Sequence, residues 1–194
     1  MSIKHIRILK AIHLWISILI FFIFLFISLT TKHLDLFQID SLSKLGISDK
    51  GWIWNLGILL LSILLYKKIK EHIIDFCGNC KSLLILNKFS IFNLILTALI
   101  DMNHSLHNLT ATLYFLGTTI LIFYFGFKIH KTNFRIGQIS MLVGITSAIL
   151  PMITIGVLKS LAIPEIEHIL LLFTWLFILH HDSLVITILK KFGF

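Results

Sequence analysis

The chain has 194 residues, 57% of them hydrophobic and only 13% charged, and its mean hydropathy is +0.97. A soluble domain is about half apolar and about a quarter charged, so the composition excludes a chain that buries this many Ile, Leu and Phe side chains by its own folding in water; hydrocarbon is the solvent that accommodates them. The net charge of +8 falls between apolar runs and no basic patch accompanies a soluble fold, so nucleic acid is not expected as a partner.

The runs are apolar all round. In lipid every backbone amide must be bonded within its own segment or in a closed barrel, and barrel strands would alternate apolar with polar residues. The expected fold class is therefore all-α, a polytopic membrane helix bundle of six transmembrane helices in one domain spanning 1–194. A hydrocarbon core roughly 30 Å thick takes about 20 residues of helix. The first span, 11–30, contains ISILIFFIFLFISL after Lys4, Arg7 and Lys10. It is too long for a signal peptide and lacks a small-residue cleavage site, so it reads as an uncleaved helix. The second, 52–66, ends on Lys67, Lys68 and Lys70, which are expected to snorkel. The others are 83–100, 105–127, 136–157 and 166–189. The third and fourth are joined by DMNH and should form a tight hairpin. The longest connection, Thr31 to Gly51, has turn-forming Ser, Gly and Asp and too few apolar residues for a buried element.

Thirteen of the seventeen basic residues lie at the N-terminus, the second and fourth connections and the C-terminus; only Lys32, Lys44, Lys50 and Lys159 lie on the other side. By the positive-inside rule both termini are expected in the cytoplasm, with the chain in the inner (plasma) membrane. Trp52 and Trp54 fit an outer aromatic belt, and Tyr66 and Tyr124 an inner one. Gly137, Ser140, Gly144 and Ser147 share one face of the fifth span, where small residues allow close helix packing, and Pro151 is expected to kink it.

Polar residues gather at the expected outer face. Asp101, Asn103, His104, His107 and Asn108 start the fourth span; Glu165, Glu167 and His168 start the sixth. His104 and His107 are three apart on a helix, Ala111 and Tyr114 continue the His107 face inward, and Asn55 near the top of the second span can join them. Three readings compete. One is helix capping by Asp101 with a hydrogen-bonded network between helices. Another is a zinc site from Asp101, His104, His107 and His168 or Glu167, activating water to hydrolyse a lipid ester or amide. The third is a lipid head-group or small-solute site without chemistry. Toward the other face, His180, His181 and Asp182 could snorkel, pair with the fifth span or relay protons.

Cys77 and Cys80 form C-G-N-C in the second connection. This is the spacing of redox motifs and of half a zinc site, which His72 and His130 would complete only if loops converged. A reducing cytoplasm favours two free thiols.

Three segments together resemble a family of small bacterial membrane proteins, the domain-of-unknown-function family 998: SLSKLGISDKGWIWNLGI (41–58), DMNHSLHNLTATLYFLG (101–117) and PEIEHILLLFTWLFIL (164–179). The resemblance implies the same six spans and matches Asp101, His104, His107, Glu167 and Trp175 to the family's pattern. Leu99 and Ile100 stand where the family often has Phe-Pro, and His168 where it usually has Arg. It carries no activity.

The expected function is that of a non-enzymatic multi-pass protein binding membrane lipids or another membrane component at the outer polar site (Asp101, His104, His107, Glu167, His168, Asn55). The alternative is a metal-dependent intramembrane hydrolase. No cofactor is expected under the first reading, zinc under the second. The sequence leaves the oligomeric state open.

Overall fold

The computed structural model describes residues 3–32, 41–47, 50–101, 103–158 and 161–191, with side chains over 12–31, 41–47, 50–101, 103–158 and 161–182. Six long helices follow one another: α1 (Ile3–Lys32), α2 (Trp52–Cys77), α3 (Lys81–Leu99), α4 (Ser105–Ile129), α5 (Phe134–Leu158) and α6 (Ala162–Lys191). Each carries a stretch long and apolar enough to cross a bilayer, so the chain is an all-α, multi-pass membrane protein. Successive helices pack against each other. α6 returns to touch α2 and α1, and α2 also touches α4. The core is a stack of Leu, Ile and aromatic side chains around α2, α4 and α6, with Leu61, Leu65, Leu121, Phe125, Leu172 and Trp175 at its centre.

Small residues set the closest approaches. A β-carbon on Gly126 of α4 would lie 2.7 Å from the Gly137 carbonyl of α5, and one on Gly144 would lie 2.9 Å from Phe123. Gly137, Ser140, Gly144 and Ser147 are all buried, so the small-residue face is an intramolecular seam. α5 continues as a helix through Pro151. Beyond Ala148 its residues are exposed apart from half-buried Pro151 and Thr154, so this end of α5 meets the rest of the bundle only along that narrow stripe.

Several expectations change. α2 runs eleven residues past Tyr66, because residues 65, 68, 69, 72 and 73 repeat with the i, i+3, i+4, i+7 spacing of a buried helical stripe. Lys68 therefore does not snorkel. It is only 1% exposed, with its Nζ 3.7 Å from a Glu71 carboxylate oxygen, whereas Lys67 and Lys70 are more open. Gly78, with φ of 65°, then ends the helix in a conformation that glycine adopts without strain. Trp52 is 62% exposed, whereas Trp54, expected in the same aromatic belt, is 5% exposed and packs on Phe21; two residues apart on a helix point to nearly opposite sides.

The connection between α1 and α2 also contributes to the core, contrary to its polar composition. Leu42–Gly46 forms a 3-10 turn whose Leu42 and Leu45 are buried, Leu45 completely. Three residues per turn bring both leucines to one face. Residues 33–40 and 48–49 of that connection lie outside the described residues.

Candidate functional site

The end of the bundle that carries the 3-10 turn is the polar end. There α3 stops at Leu99 and α4 starts at Ser105. Asp101 is exposed and its Oδ1 accepts the Asn103 N–H at 2.8 Å, closing an Asx turn. It is not the cap of α4, because it lies four residues ahead of the first helical turn. His104 takes that position, with its Nδ1 accepting the Leu106 N–H at 3.2 Å. The capping expectation thus holds for the place and fails for the residue.

His107, one turn further on, faces inward. Its Nδ1 is 2.9 Å from the Ile100 carbonyl oxygen. A carbonyl only accepts, so Nδ1 carries the proton and Nε2 of the neutral ring carries a lone pair. That Nε2 is buried and has no hydrogen-bond partner in the protein. Below it, Thr110 donates to the His107 carbonyl and accepts from Thr97 of α3 at 3.0 Å, tying the hairpin together.

α6 supplies the opposite wall, and its rotation divides the acidic residues. Glu165 faces the 3-10 turn and accepts the Leu42 N–H at 2.6 Å. Glu167 faces α5, where it accepts the Thr154 hydroxyl at 3.0 Å and keeps a second buried oxygen without a partner. His168 faces α4; its Nε2 lies 2.7 Å from the Thr118 hydroxyl, and its ring meets Phe115 edge-on at 4.8 Å. Asn55 sits beneath the turn, so close to Gly46 that a β-carbon there would collide with its amide oxygen. Likewise a β-carbon on Gly51 would run into the Gly46 carbonyl. These two glycines let the turn fold down over α2.

Two adjoining cavities result. The first, about 240 Å³, lies under the 3-10 turn and is lined by Asn55, Asp101, His107, Tyr114 and Glu165 among apolar side chains of α2 and α3. The second, about 680 Å³, opens between α4, α5 and α6 beside that end of α5; it is lined by Thr119, Pro151, Met152 and Ile155, with Ser41, Asn108, Glu165 and His168 as polar neighbours. Ser43, Ala111, Phe115 and Glu165 line both.

Of the residues named from sequence, Asn55, Asp101 and His107 share the first cavity, His168 lines the second, Glu167 lines neither and His104 is an exposed cap. Among the described residues no three of His, Cys, Asp and Glu are grouped so as to hold an ion; the two inward-facing histidines of the zinc set use ring nitrogens on Ile100 and Thr118. The cavity takes Glu165 rather than Glu167, a choice made by the rotation of α6 against its neighbours. Buried Leu172, Leu176 and Leu179 repeat at three to four residues, and stepping that stripe back from Leu172 reaches Ile169, His168 and Glu165. Trp175 is a packing residue: its Nε1 donates to Ser140 Oγ at 2.9 Å and its ring meets Phe125 edge-on.

At the lysine-rich end Cys77 and Cys80 are half-buried free thiols. Cys80 Sγ lies 3.4 Å from Ser82 Oγ. Burial raises the Cys80 thiol, but hydrogen bonds from Ser82 and backbone amides, with Lys128 nearby, outweigh it and hold the thiol below its ordinary range. His180 is buried, and His181 is exposed with its Nδ1 3.5 Å from Asp182.

Comparison of the chain with protein-family models, with curated proteins and with solved structures finds no match.

Proposed function

We propose that this is a non-enzymatic protein of the bacterial plasma membrane, both termini cytoplasmic, that holds one outer-leaflet lipid with its head at the polar end and an acyl chain in the crevice between α4, α5 and α6. The observation that supports this reading is the pairing of cavities: a small one with polar groups and a larger, mainly apolar one, joined along Phe115 and Glu165. The larger cavity borders the part of α5 that bears exposed Met152, Ile153 and Val157, side chains that hydrocarbon solvates. The distribution of basic residues supports an outward-facing polar end. A tail moving from bilayer to crevice exchanges one hydrocarbon environment for another, so the head contacts must supply selectivity.

The test is lipid retention. Protein purified in mild detergent and examined by native mass spectrometry should carry about one lipid per chain. Thr119→Trp, which fills the crevice, should remove it without unfolding the bundle. Wild-type protein that retains no lipid, or a Thr119→Trp variant that retains it fully, would overturn the reading.

A further inference from the structure

Beside the Ser43, Thr97 and Tyr114 hydroxyls, which both donate and accept, the smaller cavity is lined by four side chains that present acceptors: His107, Asp101, Glu165 and Asn55. His107, 5% exposed, commits its Nδ1–H to the Ile100 carbonyl, and its buried Nε2 lone pair has no partner. Asp101 and Glu165 bring two carboxylates, and Asn55 an amide whose oxygen accepts. No Lys or Arg is among the described lining residues. The walls include Trp54, Tyr114 and Phe115, whose faces attract cations. An anionic or acceptor ligand would leave the Nε2 lone pair unmatched and face two carboxylates. A donor carrying positive charge answers every one of these groups.

We infer that the cavity under the 3-10 turn is a receptor for a primary ammonium group, with His107 Nε2, the Glu165 carboxylate and the Asp101 carboxylate as acceptors and the aromatic walls around the adjoining methylenes. Its three N–H donors match a set of separate acceptors in a way that a quaternary ammonium, which has none, does not. In its lipid-borne form this rests on the proposed lipid reading and specifies the head group as an aminophospholipid's; the same chemistry on a free amine is the second source.

The experiment uses the full chain in nanodiscs with two readouts. In the first, phosphatidylethanolamine, phosphatidylcholine and phosphatidylglycerol of matched acyl chains compete for retention. Ethanolamine lipid should be preferred over choline lipid by about tenfold or more, the worth of a charge-assisted hydrogen bond, and His107→Phe should abolish that preference. Asp101→Asn, at an exposed position whose turn the amide oxygen preserves, should reduce it with no burden on folding. In the second, millimolar ethanolamine or choline is added while Ser43→Cys, at the edge of both cavities, is alkylated in a Cys77→Ser, Cys80→Ser background. Protection by ethanolamine but not choline, without any lipid preference, assigns the site to a free amine and keeps the chemistry. Equal retention of all three lipids, with neither amine slowing alkylation of the introduced thiol, overturns the ammonium receptor while leaving lipid binding standing. Absence of any retained lipid overturns the lipid reading alone, because the amine readout still decides the cavity.

Discussion

Replacing Glu165 by alanine removes the carboxylate that accepts the Leu42 N–H at 2.6 Å, a bond between residues 123 apart in the chain. That bond ties the 3-10 turn to α6 across the cavity. A hydrogen bond contributes about 0.5–1.5 kcal/mol to a neutral acceptor and about 1.5–3 kcal/mol to a charged one, and each 1.4 kcal/mol is about tenfold in an equilibrium. The lifted population of the turn should therefore rise by about 2- to 150-fold. The turn should not unfold outright, because Leu42 and Leu45 remain buried and each such side chain contributes about 1.5–3 kcal/mol. The assay is alkylation of Ser43→Cys by a water-soluble maleimide in a background lacking Cys77 and Cys80. In the regime where opening is fast, the rate follows the open population. Glu165→Ala should raise it by that factor. Glu165→Gln keeps a neutral acceptor and should fall between wild type and alanine. Equal rates for all three would refute the tether. So would a rise seen with Leu45→Ala but not with Glu165→Ala, which would leave the leucines alone holding the turn.

Two further outcomes follow from the packing and the thiols. Gly126→Ala forces a methyl within 2.7 Å of the Gly137 carbonyl oxygen and the Met141 amide and should destabilise the bundle by about 1–3 kcal/mol, whereas Gly156→Ala, with open space around it, should stabilise by up to about 1 kcal/mol; thermal unfolding in detergent should move in opposite directions, and shifts of the same sign would contradict the seam. Cys80, whose thiol is held below its ordinary range by Ser82, backbone amides and Lys128 despite burial, should alkylate with a pH midpoint that Ser82→Ala moves upward in a Cys77→Ser background; a midpoint unchanged by Ser82→Ala would remove the effect.

Much of the site was present in the residue types. Asn55, Asp101 and His107 were identifiable as polar groups at one depth, and the run from His107 through Ala111 to Tyr114 follows from helical spacing alone. What escaped was which atoms were already engaged. His104 and His107 look equivalent in sequence. One caps α4 through its Nδ1 and the other hands its Nδ1–H to the Ile100 carbonyl, because the chain turns between Leu99 and Ser105. That turn sets which ring nitrogen is engaged and leaves the buried Nε2 of His107 without a hydrogen-bond partner in the protein.

The sequence by itself determined six long helices, each apolar enough to cross a bilayer, and roughly where each lies in the chain, because apolar runs of this length have one stable solution in hydrocarbon. It determined the small-residue seam of α5 as well, since close approach needs the absence of side-chain volume. Only the tertiary structure decided how each helix is rotated about its axis. That rotation buries Lys68 while Lys67 and Lys70 stay more open, and it turns Glu165 toward the cavity and Glu167 toward α5. It also decided that a loop rich in polar residues would place Leu42 and Leu45 in the core. The physical reason is that a helix in hydrocarbon is apolar on nearly every side, which leaves its phase unmarked until contact with neighbouring helices sets it, and that the leucines of a short turn are buried only where the chain folds back over the bundle.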